Sequence, residues 1–257
     1  MSDEIKLPSE TLNKIYDDGL RQTVVETGKL VSLIPRAINA SLSSVECWIL
    51  EKEHNVQMVK RLLNEDLKDA DPEKIIPPAP YVAVPAIQAI SYSMDSDELR
   101  KLYANLLTKS IYSDTKEMVH PAYVEIIKNL SPLDCKIFQF IMDTSFQEIG
   151  YYEMRLGTVG SHSYHIFSHC ITEMTFDDPF TISASLDNLA RNKLIALEDF
   201  HYDNDDMYAR IRNTDYYKGL MDSFASHPNN KELRPYPKAI KSTNLGKAFY
   251  NVCVKPL

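Results

Sequence analysis

Apolar residues recur at helical spacing along the first part of the chain. Between residues 9 and 34 they stand mostly three or four positions apart, at Leu12, Ile15, Tyr16, Leu20, Val24, Val31 and Ile34. This period predicts an amphipathic helix. Pro35 ends it, because proline lacks a main-chain donor and its ring clashes with the preceding turn. The same criterion predicts a second helix over residues 41–68.

The segment 69–80 contains several prolines and predicts an extended connector, since proline fixes its own φ and restricts the residue before it. It is the best candidate boundary in the chain. A short buried helix is predicted over residues 82–92. Ser96 then caps the clearest helix, with acidic residues behind it and an apolar stripe at Leu99, Leu102, Tyr103, Leu106 and Leu107.

Two more helices begin at prolines. Pro121 opens one of them. Ser131 stands before Pro132 and three residues before Asp134, which is the pattern of a capped helix start. The aromatic-rich segment 145–180 shows no clear period and receives no assignment.

The last part of the chain changes character. Ser183 can cap a helix, and the short apolar run 194–197 predicts a strand. A polar loop over 203–206 and a return strand over 207–211 would complete a winged helix. A helix is expected over 215–226, and Thr243 can cap a last one.

These elements predict a mainly α fold. We expect an N-terminal helical hairpin (1–70), a helical central domain (71–130) and a winged-helix-like α+β C-terminal domain (131–257). The apolar fraction of 44% and the charged fraction of 25% allow a sizeable core. Seven glycines among 257 residues also favour helices over a turn-rich all-β fold.

Net charge and cysteine usage narrow the class of protein. A net charge of −8 repels phosphate backbones, so general nucleic-acid binding is not expected. The four cysteines are far apart, form no CxxC pair, and predict reduced thiols in a cytosolic protein. The polar, acidic residues 1–4 are not typical of a secretory or transit sequence.

The stretch 30–50 is about long enough to span a bilayer, which needs ~20 apolar residues. Arg36 and Glu46 lie within it, and a central charge costs roughly 3 kcal/mol on insertion scales. We therefore favour a buried helical hairpin over membrane insertion.

A cluster of soft ligands stands at His162, His165, His169 and Cys170. If the segment were helical, the three histidines would share one face, and such ligands suit zinc. No second CxxC or HxxxH pattern supports them, so we expect an ordinary histidine-rich surface, with no metal and no cofactor.

Recognition residues are few. Arg191 and Lys193 would lie on the recognition segment of a winged helix, with Asp187 opposing them. Two cations give thin support for DNA binding, so we favour a role in protein binding or packing. His120, before Pro121, could act as a base. We favour a structural role at the helix start, in which its side chain forms a hydrogen bond with nearby main chain.

Longer strings carry a family resemblance. They include Val84-Pro85-Ala86-Ile87-Gln88-Ala89-Ile90, Glu98-Leu99-Arg100-Lys101-Leu102-Tyr103-Ala104-Asn105-Leu106-Leu107, His120-Pro121-Ala122-Tyr123-Val124-Glu125-Ile126-Ile127 and Thr243-Asn244-Leu245-Gly246-Lys247-Ala248-Phe249. In this order the chain resembles the Abi-alpha family, bacterial proteins tied by name to abortive infection and phage resistance. The resemblance implies a defence role in a bacterial cytoplasm, but no substrate. Within these strings, Arg100, Asn105 and His120 are polar enough to suggest a site.

We therefore expect a phage-defence protein that binds a phage or host protein, as a sensor or effector, and is not an enzyme. Oligomerisation stays open. Two other functions stay open as well: membrane disruption through residues 30–50, and a nuclease-type activity at a site that the sequence does not reveal.

Overall fold

A computed structural model describes residues 53–90, 96–144, 149–171, 179–225 and 230–257. These residues form two compact units. Unit 1 holds the described chain up to Asn129 together with Ala248–Leu257, and unit 2 holds Leu130–Lys247. The predicted division at residues 70 and 130 stays a prediction. The predicted helix over 9–34 and the apolar stretch 30–50 lie outside the described residues.

Unit 1 is helical in its described part, and helix α3 packs against each of the other helices. The helices are α1 (Glu53–Asp66), α2 (Pro80–Ile90), α3 (Asp97–Ser110) and α4 (Ala122–Lys128), with short 3-10 turns at Pro72–Lys74 and Lys116–Met118 and a π-helical turn at Tyr250–Val254. As the sequence predicts, Ser96 caps α3: its Oγ accepts a hydrogen bond from the Leu99 N–H at 3.3 Å. Leu102 and Leu106 of α3 are buried in the core of this unit.

Unit 2 is built on an antiparallel sheet, which has four strands in the described residues, in the order β2-β1-β4-β3. The elements are α5 (Pro132–Asp143), β1 (Ile149–Thr158), β2 (Tyr164–Ile171), α6 (Pro179–Arg191), β3 (Ile195–Glu198), α7 (Asp205–Arg212), α8 (Asp215–Ala225), β4 (Lys231–Ser242) and α9 (Asn244–Phe249). α9 continues into the π-helical turn of unit 1. Two predicted caps of this unit are confirmed: Ser131 and Asp134 form a capping box at α5, and the Thr243 Oγ accepts from the Gly246 N–H at 2.8 Å. The predicted cap at Ser183 is wrong, because Ser183 lies within α6.

The two faces of the sheet differ in chemistry because successive residues of a strand point to opposite sides. One face is apolar and packs against α7 and α8. Its core contains Tyr152, Met154, Leu156, Cys170, Tyr208, Ile211, Tyr217 and Leu233. The other face carries charged and aromatic side chains, and α6 lies against it beside β2.

The predicted mainly α fold is wrong, since a four-stranded sheet organises unit 2. Two of its strands fall in the segment 145–180, which has no visible period. Residues 149–154 of β1 are all buried, so the strand lacks the alternation of apolar and polar residues that reveals a half-buried strand. β4 contains Pro235 and Pro237, which normally argue against a central strand. Both precede Ala239, where pairing with β3 begins, so that edge of β4 needs no donors there.

The predicted return strand over 207–211 is also wrong, because those residues belong to α7. The Asn204 side chain caps the helix by accepting from the Met207 N–H at 3.3 Å. Tyr208 and Ile211 lie one turn apart, and both are buried against the sheet. Strand β3, Ile195–Glu198, overlaps the predicted run 194–197 and begins one residue later.

Candidate functional site

The sheet face that points away from α7 and α8 carries a cluster of ionisable groups from three strands, and we name it the polar face. Strand register fixes its layout: Glu153 of β1 lies opposite His169 of β2 and Tyr236 of β4, and Arg155 lies opposite Arg234. Gly157 lies opposite Tyr164 on one side and Glu232 on the other. Three strands therefore contribute adjacent side chains to one surface.

Two arginines of this face lie over tyrosine rings, and we name the four residues the Tyr–Arg patch. The Arg155 Cζ is 4.6 Å from the centroid of the Tyr236 ring. The Arg234 Cζ is 4.5 Å from the centroid of the Tyr164 ring. Both distances lie within the range of cation–π attraction, about 6 Å. The arginines lie opposite each other, so the two stacked pairs form a continuous surface.

A glycine makes this arrangement possible. Tyr164 starts on β2, but its ring lies across β1 and reaches β4, where its hydroxyl donates a hydrogen bond to Glu232. The ring occupies the place that a side chain at Gly157 would fill: a Cβ there would lie 2.5 Å from the Tyr164 Cδ1. Glycine in a strand often marks such a close approach.

Each arginine of the patch also has a carboxylate partner on its own strand. The Arg155 Nε donates to Glu153 at 2.6 Å, and an Arg234 amino group donates to Glu232 at 2.7 Å. The hydrogen bond from Tyr164 and the adjacent Arg234 hold the pKa of Glu232 below its usual value. These two carboxylates balance the charge of the two arginines, and nearly half of the Arg234 side chain, 48%, is exposed to solvent.

The polar face becomes buried toward α6. His169 is only 3% exposed, its ring lies 5.4 Å from that of Tyr151, and its N–H donates to the Ser183 Oγ at 2.6 Å. Burial lowers the pKa of His169, and Asp187 and Glu153 oppose this only in part. Within the described residues, the His169 Nδ1 is buried without a hydrogen-bond partner. The imidazole is therefore held neutral at physiological pH.

The histidine-rich segment is a strand and not a helix, so its side chains do not share one face. A β-bulge between the pairs formed by Met154 and Arg155 shifts the register. His169 points to the polar face, whereas Cys170 lies in the apolar core. In the described part of the chain, no group of three His, Cys, Asp or Glu residues could hold a metal ion. Burial raises the pKa of Cys170 to about 12.

The residues that the sequence suggested as binding residues do not converge. Arg100 is buried on α3 and forms an ion pair with Asp97, one turn away. The Asn105 Nδ2 donates to the carbonyl oxygens of Cys253 and Val254, at 2.9 and 3.0 Å. His120 is exposed, and its Nδ1 accepts from the Ala122 N–H at 3.1 Å. All three belong to unit 1.

Arg191 and Lys193 lie in unit 2, at the end of α6. Arg191 donates to the Asn188 side chain at 2.7 Å, and Lys193 has a positive φ of 58°. The Lys193 carbonyl oxygen accepts a hydrogen bond from the hydroxyl of Thr243, which precedes α9. Both side chains are exposed. A binding role for these five residues stays a prediction.

Two features escaped sequence reasoning. The first is Lys109, whose buried Nζ donates to the carbonyl oxygens of Asn251 and Lys255, both at 2.5 Å, beside the Asn105 contacts. Together they bind the end of the π-helical turn, whose carbonyls lack partners within the helix. The second is the Tyr–Arg patch. The repeated Glu-x-Arg spacing at 153–155 and 232–234 was its only sequence signal, since such pairs share one face of a strand.

Comparison with known sequences identifies the family. The sequence model of the family described as abortive infection alpha matches residues 51–253. The chain belongs to this family. The Abi-alpha description ties the chain to abortive infection, a form of phage defence, which confirms that part of the sequence prediction. No curated protein matches the chain significantly.

One solved structure is similar to part of this Abi-alpha chain. It is the structure of an uncharacterized protein from the hydrocarbon-degrading marine bacterium Alcanivorax borkumensis SK2, 11% identical. The similarity covers 56% of this chain and 96% of the other, with a TM-score of 0.35. In the described residues, no helix is long and apolar enough to cross a membrane.

Proposed function

We propose that this Abi-alpha protein serves phage defence by binding another protein through the Tyr–Arg patch of unit 2. The patch is the observation that carries the proposal. Tyrosine and arginine are enriched at the centres of protein interfaces, where they supply large contact areas with a polar end. Here both types lie side by side on one strand-built surface, at Arg155, Tyr164, Arg234 and Tyr236.

Preorganisation supports the same proposal. Each arginine is oriented by a carboxylate and by a ring, so little side-chain freedom remains to be lost when a partner binds. The strands beneath the patch are paired along most of their length, which makes the surface rigid.

Charge indicates the kind of partner. The patch itself is balanced, with two arginines beside two glutamates, whereas the whole chain has a net charge of −8. A nucleic acid would meet little net attraction. A protein surface offering carboxylates to the guanidinium edges and apolar groups to the tyrosine rings would match it.

The proposal predicts that Arg234→Ala weakens defence. Bacteria expressing the wild-type or variant protein are challenged with a panel of phages, and plaque formation is measured together with partner capture by crosslinking from infected cells. We expect at least about a tenfold loss in partner affinity, the loss typical of an interface hot spot, with a matching loss of protection.

Lys241→Ala is the matched control. Lys241 is another exposed cation of β4, and its Nζ lies 4.7 Å from the Phe200 ring centroid, away from the Tyr–Arg patch. We expect this variant to behave like wild type. Equal protection by all three proteins against a phage that wild type resists would contradict a role for the patch. A wild type that resists no phage in the panel would count against defence itself.

A further inference from the structure

Strand β2 lies at one edge of the sheet, and half of its outer edge is open in the described part of the chain. The His169 N–H points outward, since it donates to the Ser183 Oγ of α6. Tyr164, Ile166 and His169 pair with alternate residues of β1, so their main-chain groups point to the same outer edge. α6 therefore closes this edge at His169, and among the described residues no strand pairs with it at Tyr164 or Ile166.

Two common protections of an edge strand, charged residues and prolines, are missing here, and a third, the β-bulge at Phe167, lies at the end of the open stretch. Natural edge strands carry charged residues or prolines that prevent pairing with another chain. Residues 157–172 contain no Asp, Glu, Lys, Arg or Pro, although a quarter of the chain, 25%, is charged. Apolar side chains flank the open edge instead: Ile166 is 55% exposed, and Phe180, which packs on Phe167, is 48% exposed.

The distribution of charge favours a second copy of this chain as the partner at the open edge. Two copies of a chain with a net charge of −8 repel each other over most of their surfaces. A two-fold contact also brings the residues at its axis close to their own copies, so any charge there would face a like charge. The segment 157–172 avoids most of this cost, because it carries no Asp, Glu, Lys or Arg, and its ionisable side chains apart from Tyr164 and Cys170 are three histidines.

We propose that the open edge of β2 pairs with the same edge of a second copy of this chain. The two β2 strands would run antiparallel about a two-fold axis, over Tyr164–Phe167, and join the two sheets into one. Main-chain hydrogen bonds at Tyr164 and Ile166 would supply the pairing, as in other edge-to-edge contacts. The side chains of Ile166 and Phe180 in both copies would become buried in the contact. This contact uses the main chain at the sheet edge, and it shares only Tyr164 with the Tyr–Arg patch.

The test compares Ile166→Lys with Val159→Lys by sedimentation equilibrium of the full-length protein over a range of concentrations. Val159 is the matched control, because it is 51% exposed but lies in the hairpin turn, outside β2. We expect the wild-type chain of 29.4 kDa to sediment as a dimer. Ile166→Lys should weaken dimerisation by at least ~100-fold, since both copies lose an apolar contact and gain opposed like charges. Val159→Lys should dimerise like wild type.

Amide hydrogen exchange provides the second measurement. In the wild type, the Tyr164 and Ile166 amides should exchange more slowly as protein concentration rises, and in Ile166→Lys this dependence should vanish. A monomeric wild type at ~100 μM, the weak end of specific association, would overturn the proposal, as would equal loss of dimer in both variants. Slow exchange at these amides only when a different protein is added would assign the edge to another partner and also overturn it.

Failure of the dimer proposal can be distinguished from failure of the proposed function. Arg234→Ala should leave the dimer intact, because Arg234 lies on β4 and not at the open edge. A monomeric protein that still protects cells through Arg234 would leave the proposed function standing and reject the dimer alone.

Discussion

Replacing Gly157 by alanine tests whether the sheet needs an empty position beneath Tyr164. An added Cβ would lie 2.5 and 2.6 Å from two carbon atoms of the Tyr164 ring and 2.9 Å from the Ser163 carbonyl oxygen. Ordinary contacts between carbon atoms are ~3.5–4.0 Å. The ring must therefore leave its place over Gly157, and it would then lose its hydrogen bond to Glu232 and its stacking on Arg234.

The expected cost follows from two opposed effects. Overpacking a well-filled site costs typically ~1–3 kcal/mol. Replacing a strand glycine by alanine recovers ~0.5–1 kcal/mol, because the unfolded chain has less freedom to lose. We therefore expect Gly157→Ala to lower the free energy of unfolding by ~1–2 kcal/mol, measured by urea denaturation with circular dichroism.

Gly219→Ala is the matched control with the opposite sign. Gly219 lies within α8, and an added Cβ there meets nothing within 4 Å. Alanine in a helix interior is favoured over glycine by ~0.5–1 kcal/mol, so this variant should be more stable than wild type. If Gly157→Ala were as stable as Gly219→Ala, with an unchanged urea dependence, the close approach of Tyr164 would not be a constraint and the reasoning would be wrong.

Two further predictions concern buried ionisable groups. Lys109→Met should destabilise unit 1 by ~1–3 kcal/mol, because carbonyls at the end of the π-helical turn lose their donor. Amide hydrogen exchange over residues 250–257 should become faster in this variant. Unchanged exchange there would contradict the prediction. His169 has a lowered pKa in the folded protein, so below about 6.5 the unfolded chain takes up a proton that the folded chain does not. The free energy of unfolding should therefore fall with decreasing pH, by at most ~1.4 kcal/mol per pH unit, and urea denaturation of His169→Gln should show a shallower slope; equal slopes would refute the assignment.

Helix starts were predictable from the sequence because their signals are local. Ser96 and Ser131 cap α3 and α5 as expected, since a capping side chain binds main chain only two or three residues away. Thr243 caps α9 in the same way. The apolar stripe of α3 also predicted its buried side correctly at Leu102, Tyr103, Leu106 and Leu107.

The strands were harder to predict because their reasons are not local. β1 is central and buried, so its sequence lacks alternation, and its neighbour β4 follows more than 70 residues later. The prolines of β4 are tolerated only because β3 is too short to reach them. α7 contains the apolar pair Tyr208 and Ile211 in a segment too short to separate helix from strand by period alone.

The candidate site was missed for the same reason. Arg155 and Arg234 become neighbours only through the pairing of β1 with β4, and Tyr164 reaches Arg234 only because residue 157 has no side chain. Each residue is unremarkable in the sequence. Asn105, by contrast, stood out as polar within a matched string, but its contacts with the carbonyls of Cys253 and Val254 serve to join two distant segments.

That junction has a consequence for how the protein folds. Unit 1 combines an early segment with residues Ala248–Leu257, and all of unit 2 is inserted between them. A chain cut after Lys247 would keep every residue of unit 2 but would lose the segment that Asn105 and Lys109 bind. Because domains generally fold as units, such a chain should hold a folded sheet and an unfinished helical unit.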